Sequence, residues 1–192
     1  MDTDNSELLP TETHPWEPFI PDGAKVLIMG PFPPGNHRWS MEFYYPNRTN
    51  DFWFMIGHIF LGDRYALYDR QTKLFDLEAI KSLMTEKHIA LNDTARKVRR
   101  LKGNASDKYL DILEPVPLHE LLAAMPDCHA VATTGEKAAG VIASIPEQRF
   151  PEWETCSRLP TAWRYGACPP HRAPIPSPLK RRPNITHQCS DI

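Results

Sequence analysis

The chain has 192 residues, 41% of them hydrophobic, and its 22 Lys+Arg against 24 Asp+Glu give a formal net charge of −2. That is one domain's worth of chain, too apolar for intrinsic disorder and without the overall basic excess of a protein built around nucleic acid, so contact with an anionic partner has to rest on a local patch. No apolar run approaches the roughly 18–20 residues of a membrane span, and the start, MDTDNSELLP, has neither the basic nor the apolar region of a signal peptide. The four cysteines (Cys128, Cys156, Cys168 and Cys189) form no CxxC pair, which argues against a zinc site or a disulfide scaffold. The expectation is a cytoplasmic monomer with no metal, no cofactor and no membrane contact.

In chain order, residues 1–20 are polar and punctuated by proline, the pattern of an N-terminal arm rather than a regular element. Lys25-Val-Leu-Ile-Met29 is a short apolar run stopped by Gly30-Pro-Phe-Pro-Pro-Gly35, a buried strand emptying into a rigid loop. Asp51 to Phe60 has apolar residues at helical spacing, with Asn50 or Asp51 as its cap, and Asp76 to Glu86 is a second amphipathic helix. His88-Ile-Ala-Leu91 is a short strand, followed by a polar, basic segment from Asn92 to Lys108. Leu118 to Met125 reads as a helix, Ala130-Val-Ala-Thr133 as a strand, and Glu136 to Ser144 as a helix after Gly135. Strands alternating with helices predict an α/β sandwich with a mainly parallel sheet over residues 21–150. Ligands of such sheets sit at the carboxyl ends of the strands, where the Gly30–Gly35 loop lies.

From Pro151 to Ile192 the periodicity is lost. Eight of the chain's 20 prolines and three of its four cysteines fall there, with six Lys/Arg against three Asp/Glu. On composition alone this is a disordered basic tail.

Chemistry is densest in GPFPPGNHRWSMEFYYPNRTNDFW, Gly30 to Trp53. A strand ending in a stiff Gly/Pro loop presents backbone N–H and C=O groups with no side chains in the way. Phe32, Trp39, Phe43, Tyr44 and Tyr45 supply flat faces, and Asn36, Asn47 and Asn50 supply amides. Stacking surfaces beside amides suit a nucleobase, which offers a π-face and paired donors and acceptors along its edge. The plainer reading is an aromatic core with Asn50 as a helix cap.

Gly30-Pro-Phe-Pro33 followed by Tyr44-Tyr-Pro-Asn-Arg-Thr-Asn-Asp-Phe-Trp53 resembles the uracil-DNA glycosylase superfamily, most of all its mismatch-specific and hypoxanthine-type (DNA-deoxyinosine) branches, which share a glycine-proline first motif and N-x-F-W. Ile89-Ala-Leu-Asn-Asp93 and Thr134-Gly-Glu-Lys-Ala138 stand where that family has later strand ends, so the resemblance covers about residues 20–150. It implies a three-layer α/β sandwich with a central, mainly parallel four-stranded sheet flanked by helices, and a monofunctional DNA glycosylase that excises uracil or hypoxanthine from damaged DNA in base-excision repair. Phe32 stands where uracil-type enzymes carry a catalytic Asp or Asn, and Phe32 cannot position water. The role then passes to Asn50, the asparagine of N-x-F-W. Tyr45 matches the aromatic on which the flipped base stacks, and Gly30 and Pro31 frame the base, with Phe32 beside them. Relatives often have His-Pro before the asparagine; here Pro46-Asn47-Arg48 stands instead, which keeps Asn47 as a rival. Some relatives hold an iron–sulfur cluster through four cysteines, a spacing this chain does not match.

The mechanism this implies is dissociative: the base leaves as an anion from a sugar with oxocarbenium character, and the enzyme flips the nucleotide and stabilises the charge. A neutral asparagine orients water but is a weak base. For the DNA backbone the best local patch is Arg96-Lys-Val-Arg-Arg-Leu-Lys102, five basic residues in seven, with Arg96, Lys97, Arg99 and Arg100 on phosphates. A solvated helix face is the competing explanation of that run. His14, His37, His58, His88 and His129 show no ligand spacing, and His37 alone lies in the motif loop.

The family's second motif, a Ser-rich loop that grips phosphates, belongs near residues 165–175, yet Cys168-Pro-Pro-His-Arg-Ala-Pro-Ile-Pro is unlike it. Codons for this stretch, read one frame displaced, permit Met-Pro-Ser-Ser-Ser-Arg-Ala-Tyr-Pro, which is like that motif. Residues 151–192 are therefore expected to be an aberrant, frameshifted tail that impairs activity. A non-catalytic nucleic-acid- or nucleotide-binding module of the same fold is the alternative.

Overall fold

In a computed structural model, the structure describes residues 9–102 and 106–145. The elements in order are β1 (Thr11–Thr13), β2 (Val26–Gly30), α1 (Phe52–Leu61), β3 (Tyr68–Asp69), β4 (Leu74–Phe75), α2 (Leu77–Glu86), β5 (Ile89–Asp93), β6 (Ala95–Arg100), β7 (Leu110–Pro115), α3 (Leu118–Ala123), β8 (Ala130–Thr133) and α4 (Glu136–Ala143).

The central sheet is parallel, in the order β5-β2-β8, with Val26 opposite both Ile89 and Ala130. Its strands are short apolar runs because both faces are covered. Side chains alternate along β2, so Leu27 and Met29 pack with α3 and α4 residues such as Leu121, Leu122 and Ile142, while Ile28 packs toward α1 and α2 residues such as Ile56, Ile80 and Met84. Two apolar layers therefore sandwich the sheet, as expected. The first crossover leaves β2 for one neighbour and the second returns past β2 to the other, which makes the carboxyl end of β2 a topological switch point.

Local chemistry sets the helix limits. The Asp76 carboxylate accepts from Ala79 N at 2.9 Å and starts α2, while Gly62, at φ +75°, ends α1 with its N–H on His58 O.

Three expectations need correction. Among the described residues the parallel sheet has three strands, not four. The chain leaves β5 through the fully buried Thr94, whose N–H bonds back to Gly30 O at 2.8 Å and whose carbonyl accepts from Val116 N at 2.9 Å. That diverts β6 into a separate antiparallel sheet, β1-β6-β7. Second, the basic run from Arg96 is not a helix face but the middle strand of that sheet; buried Ala95 and Val98 pack on Phe32 and Leu110 while the basic side chains lie between. Third, the arm is not irregular throughout: Thr11–Thr13 pairs with Lys97–Arg99, and Phe19 exchanges both backbone hydrogen bonds with Leu91, covering the outer edge of β5. Residues 151–192, and with them the frameshift reading, lie outside the described residues.

Leu27 is fully buried between β2 and α3. Leu27→Ala is expected to lower stability by about 2–5 kcal/mol in urea unfolding, where a loss under 1 kcal/mol would contradict this core.

Candidate active site

Three strand ends meet at the switch point. Gly30 closes β2 opposite Asp93, the last residue of β5, and Thr134 follows β8 with its N–H on Met29 O at 2.9 Å. Tyr45, on the loop before α1, reaches over them: its hydroxyl lies 3.0 Å from Thr134 Oγ1, and its ring stacks on Phe52 at 3.7 Å between centroids. Tyr45 is held at φ +54°, a left-handed conformation uncommon outside glycine, and so a strained one fixed by its surroundings.

Gly30 has to be glycine. A Cβ there would stand 2.5 Å from Asp93 Oδ1 and 3.4 Å from the Tyr45 hydroxyl. The bare Cα lets the carboxylate and the phenol close on one point.

Asp93 is only 6% exposed, and His14 Nε2 donates to its Oδ2 at 3.0 Å. His14 arrives from just beyond β1 and is fixed on several sides. Its Nδ1 faces the Trp16 backbone at 2.9–3.2 Å, its ring stacks on Tyr44, and the edge of Phe32 meets it at 5.5 Å. The Tyr44 hydroxyl donates to Asn92 Oδ1 at 3.1 Å. Asn92 Nδ2 is buried and makes no hydrogen bond among the described residues. Burial first, and the nearby Asp93 charge second, push both the Tyr44 and Tyr45 phenols well above their ordinary pKa.

The residues singled out in the sequence divide between this strand-end cluster and its surroundings. Gly30 and Tyr45 form its centre. Pro31 is buried, its carbonyl 3.5 Å from the Thr94 hydroxyl. Phe32 points into the antiparallel-sheet core with Ala95, Val98 and Leu110, beneath the Arg100 guanidinium. Asn50 stands at the start of α1 with Oδ1 accepting from Phe52 N at 2.8 Å, so half of its carboxamide holds the helix start. Asn47 is folded into its own turn, with Oδ1 accepting from Thr49 N and Oγ1. On β6, Arg99 pairs with Asp111 at 3.6 Å, and Arg100 binds Glu12 Oε1 and Pro33 O, each at 2.7 Å. Arg96 and Lys97 form no ion pair among the described residues.

Sequence reasoning assigned no role to Asp93, His14, Asn92 or Thr134. Asp93 and Thr134 stand in the strand-end segments that carried the resemblance, whereas nothing local marks His14, 79 residues from its partner. Phe32, Pro34, His37, Arg38, Trp39 and Arg100 line an open cleft of about 530 Å³. Among the described residues no group of three or more His, Cys, Asp or Glu is placed to hold a metal ion.

No protein-family model matches the chain, and no curated protein matches its sequence. The architecture is similar to the solution NMR structure of a putative uracil DNA glycosylase from Methanosarcina acetivorans, with a TM-score of 0.52 and 20% identity over 70% of this chain and 76% of that one. The chain is thus an α/β protein with the fold of that structure.

The buried phenols have a measurable consequence. Folding favours their neutral form, so nothing changes below about pH 10, where the unfolded tyrosines are neutral too. Above it the unfolded chain ionises while folded Tyr44 and Tyr45 resist, so stability falls as pH rises. An absorbance titration at alkaline pH is expected to show these two phenols ionising only as the protein unfolds; normal titration of both in the folded chain would contradict their burial.

Proposed function

We propose that the protein is a DNA glycosylase that hydrolyses the N-glycosidic bond of a deaminated base, uracil or hypoxanthine, in base-excision repair. One observation supports this most: the bare Cα of Gly30 lies at the carboxyl ends of parallel strands, ringed by the Asp93 carboxylate, the Tyr45 phenol and Thr134. A carboxylate, a phenol and a hydroxyl converging at strand ends are groups suited to reading the polar edge of a planar heterocycle, and the fold shared with a putative uracil DNA glycosylase agrees with it.

In this reading the target nucleotide is extruded and its base enters beside Tyr45, whose strained, Phe52-backed ring is fixed beforehand. Pre-fixing removes an ordering cost at binding. Gly30 and Pro31 frame the base, and Asn47 and Phe32 support the surrounding loop. Asn92 Nδ2, a buried donor without a partner among the described residues, is suited to a base carbonyl. Asn50 orients the water with the half of its carboxamide that the helix start leaves over. Arg96 and Lys97 face phosphates, while Arg99 and Arg100 hold the sheet and loop that present them. The mismatch-specific and hypoxanthine-type branches are the closest kin in this reading, and the tail from residue 151 lowers activity as a frameshifted segment.

The binding-module reading is favoured by one observation, the commitment of Asn50 Oδ1 to Phe52 N. A base-excision assay on labelled oligonucleotides containing deoxyuridine or deoxyinosine separates the two, run beside a chain whose tail is restored to the displaced frame. Excision by either chain, reduced about 10²-fold or more by Asn50→Ala, is the expected result. Tight binding without cleavage of any lesion by both chains would replace the enzyme with the binding module.

A further inference from the structure

We propose that Asp93 is the catalytic carboxylate of this site and His14 its positioning residue, so that the N-terminal strand belongs to the active centre. The proposal rests on the glycosylase reading and supplies the charged group that reading lacks.

Placement is the first argument. Asp93 closes β5 in register with Gly30, and its Oδ1 comes within 2.5 Å of the position a Cβ on Gly30 would occupy. The carboxylate therefore occupies the space beside the Gly30 backbone, at the carboxyl ends of the parallel strands. Its partners are the second argument. A carboxylate this buried is costly unless paired, and here the pairing is one-sided: His14 Nε2 takes Oδ2, while Oδ1 accepts no hydrogen bond among the described residues. The structure binds one oxygen and leaves the other directed at Gly30.

The support behind His14 is the third argument. Its ring is clamped by Trp16, Tyr44 and Phe32, and its backbone N–H bonds Arg96 O at 2.8 Å, continuing the β1 ladder. Such clamping fixes the direction of the Nε2–H bond and with it the orientation of the carboxylate. Asn50 does not fill the same role, because its carboxamide is neutral and its oxygen already accepts from Phe52 N.

The step balances without a further reactant. The N-glycosidic bond breaks and its electron pair leaves on the base nitrogen; the Asp93 carboxylate stabilises the positive charge that develops on the sugar. Water then bonds to C1′ and passes a proton to Asp93, which releases it to solvent, and the base anion takes a proton from solvent.

The test uses the full chain, with its own tail and with the tail restored to the displaced frame, in single-turnover excision of deoxyuridine and deoxyinosine oligonucleotides, with binding to an oligonucleotide carrying a tetrahydrofuran abasic analogue measured alongside. Asp93→Asn is expected to slow excision by about 10²-fold or more while analogue binding stays within about threefold. His14→Ala is expected to lower kcat about tenfold with KM unchanged, and His14→Gln, which keeps a donor for Oδ2, to recover most of it. If Asp93→Asn fails to fold, Asp93→Ser with added formate replaces it: rate restored by formate supports the role, and a rate indifferent to formate overturns it. Wild-type excision matched by Asp93→Asn within threefold overturns the role of Asp93 and leaves the glycosylase reading standing. A chain inert on every lesion both with its own tail and with the tail restored to the displaced frame overturns both.

Discussion

The hydrogen bond from His14 Nε2 to Asp93 joins the two sheets of this protein at the point where its chemistry is concentrated. A carboxylate buried at the end of β5 has to be paired, and leaving a buried acceptor without its hydrogen bond costs about 1–3 kcal/mol, more for a charged one. That requirement reaches outward. His14 has to be carried in by β1, β1 needs β6 as a partner, and β6 has to leave the parallel sheet at Thr94 to meet it. Gly30 has to lack a side chain so that Asp93 and Tyr45 can approach it. The antiparallel sheet is thus the scaffold that delivers one imidazole to the switch point of the parallel one.

The aromatic cluster serves the same end from the other side. Tyr44 and Tyr45 are consecutive yet diverge, because Tyr45 takes a positive φ. Tyr44 turns inward to hold Asn92 and the Glu17 carbonyl, while Tyr45 lies on Phe52 and reaches Thr134. Trp53 Nε1 donates to Tyr44 O at 3.0 Å, so α1 and this loop fix each other. Asn50 links the two by accepting from the first N–H of α1 through its side-chain oxygen.

How much of this is legible in the sequence depends on whether the determining contacts are local. The parallel strands and the four helices are, since each is an apolar run or a 3.6-residue pattern with its own stop signal, as at Asp76 and Gly62. Strand β6 is not: Ala95-Arg-Lys-Val-Arg-Arg100 shows only two apolar residues, and the Arg99 and Arg100 pairings that make it tolerable in a sheet lie on Asp111 and Glu12. The two-residue strands β3 and β4 are too short to have a period. At the strand-end cluster, Gly30 and Tyr45 stand within one dense motif and are visible. Asp93 is visible as a strand end but not as a buried charge, and His14 is invisible because its meaning depends on a partner 79 residues away.

The central claim is the proposal that an extruded nucleobase docks at the strand ends around Gly30. The most direct measurement is a crystal structure of the protein with an oligonucleotide whose target nucleotide is 2′-fluorinated deoxyuridine or deoxyinosine, which resists excision. The account predicts the base out of the stack, its edge against Gly30 and Asn92 and its ring beside Tyr45, with C1′ near Asp93. A base still stacked in the DNA, or seated away from the ends of β2, β5 and β8, would contradict it.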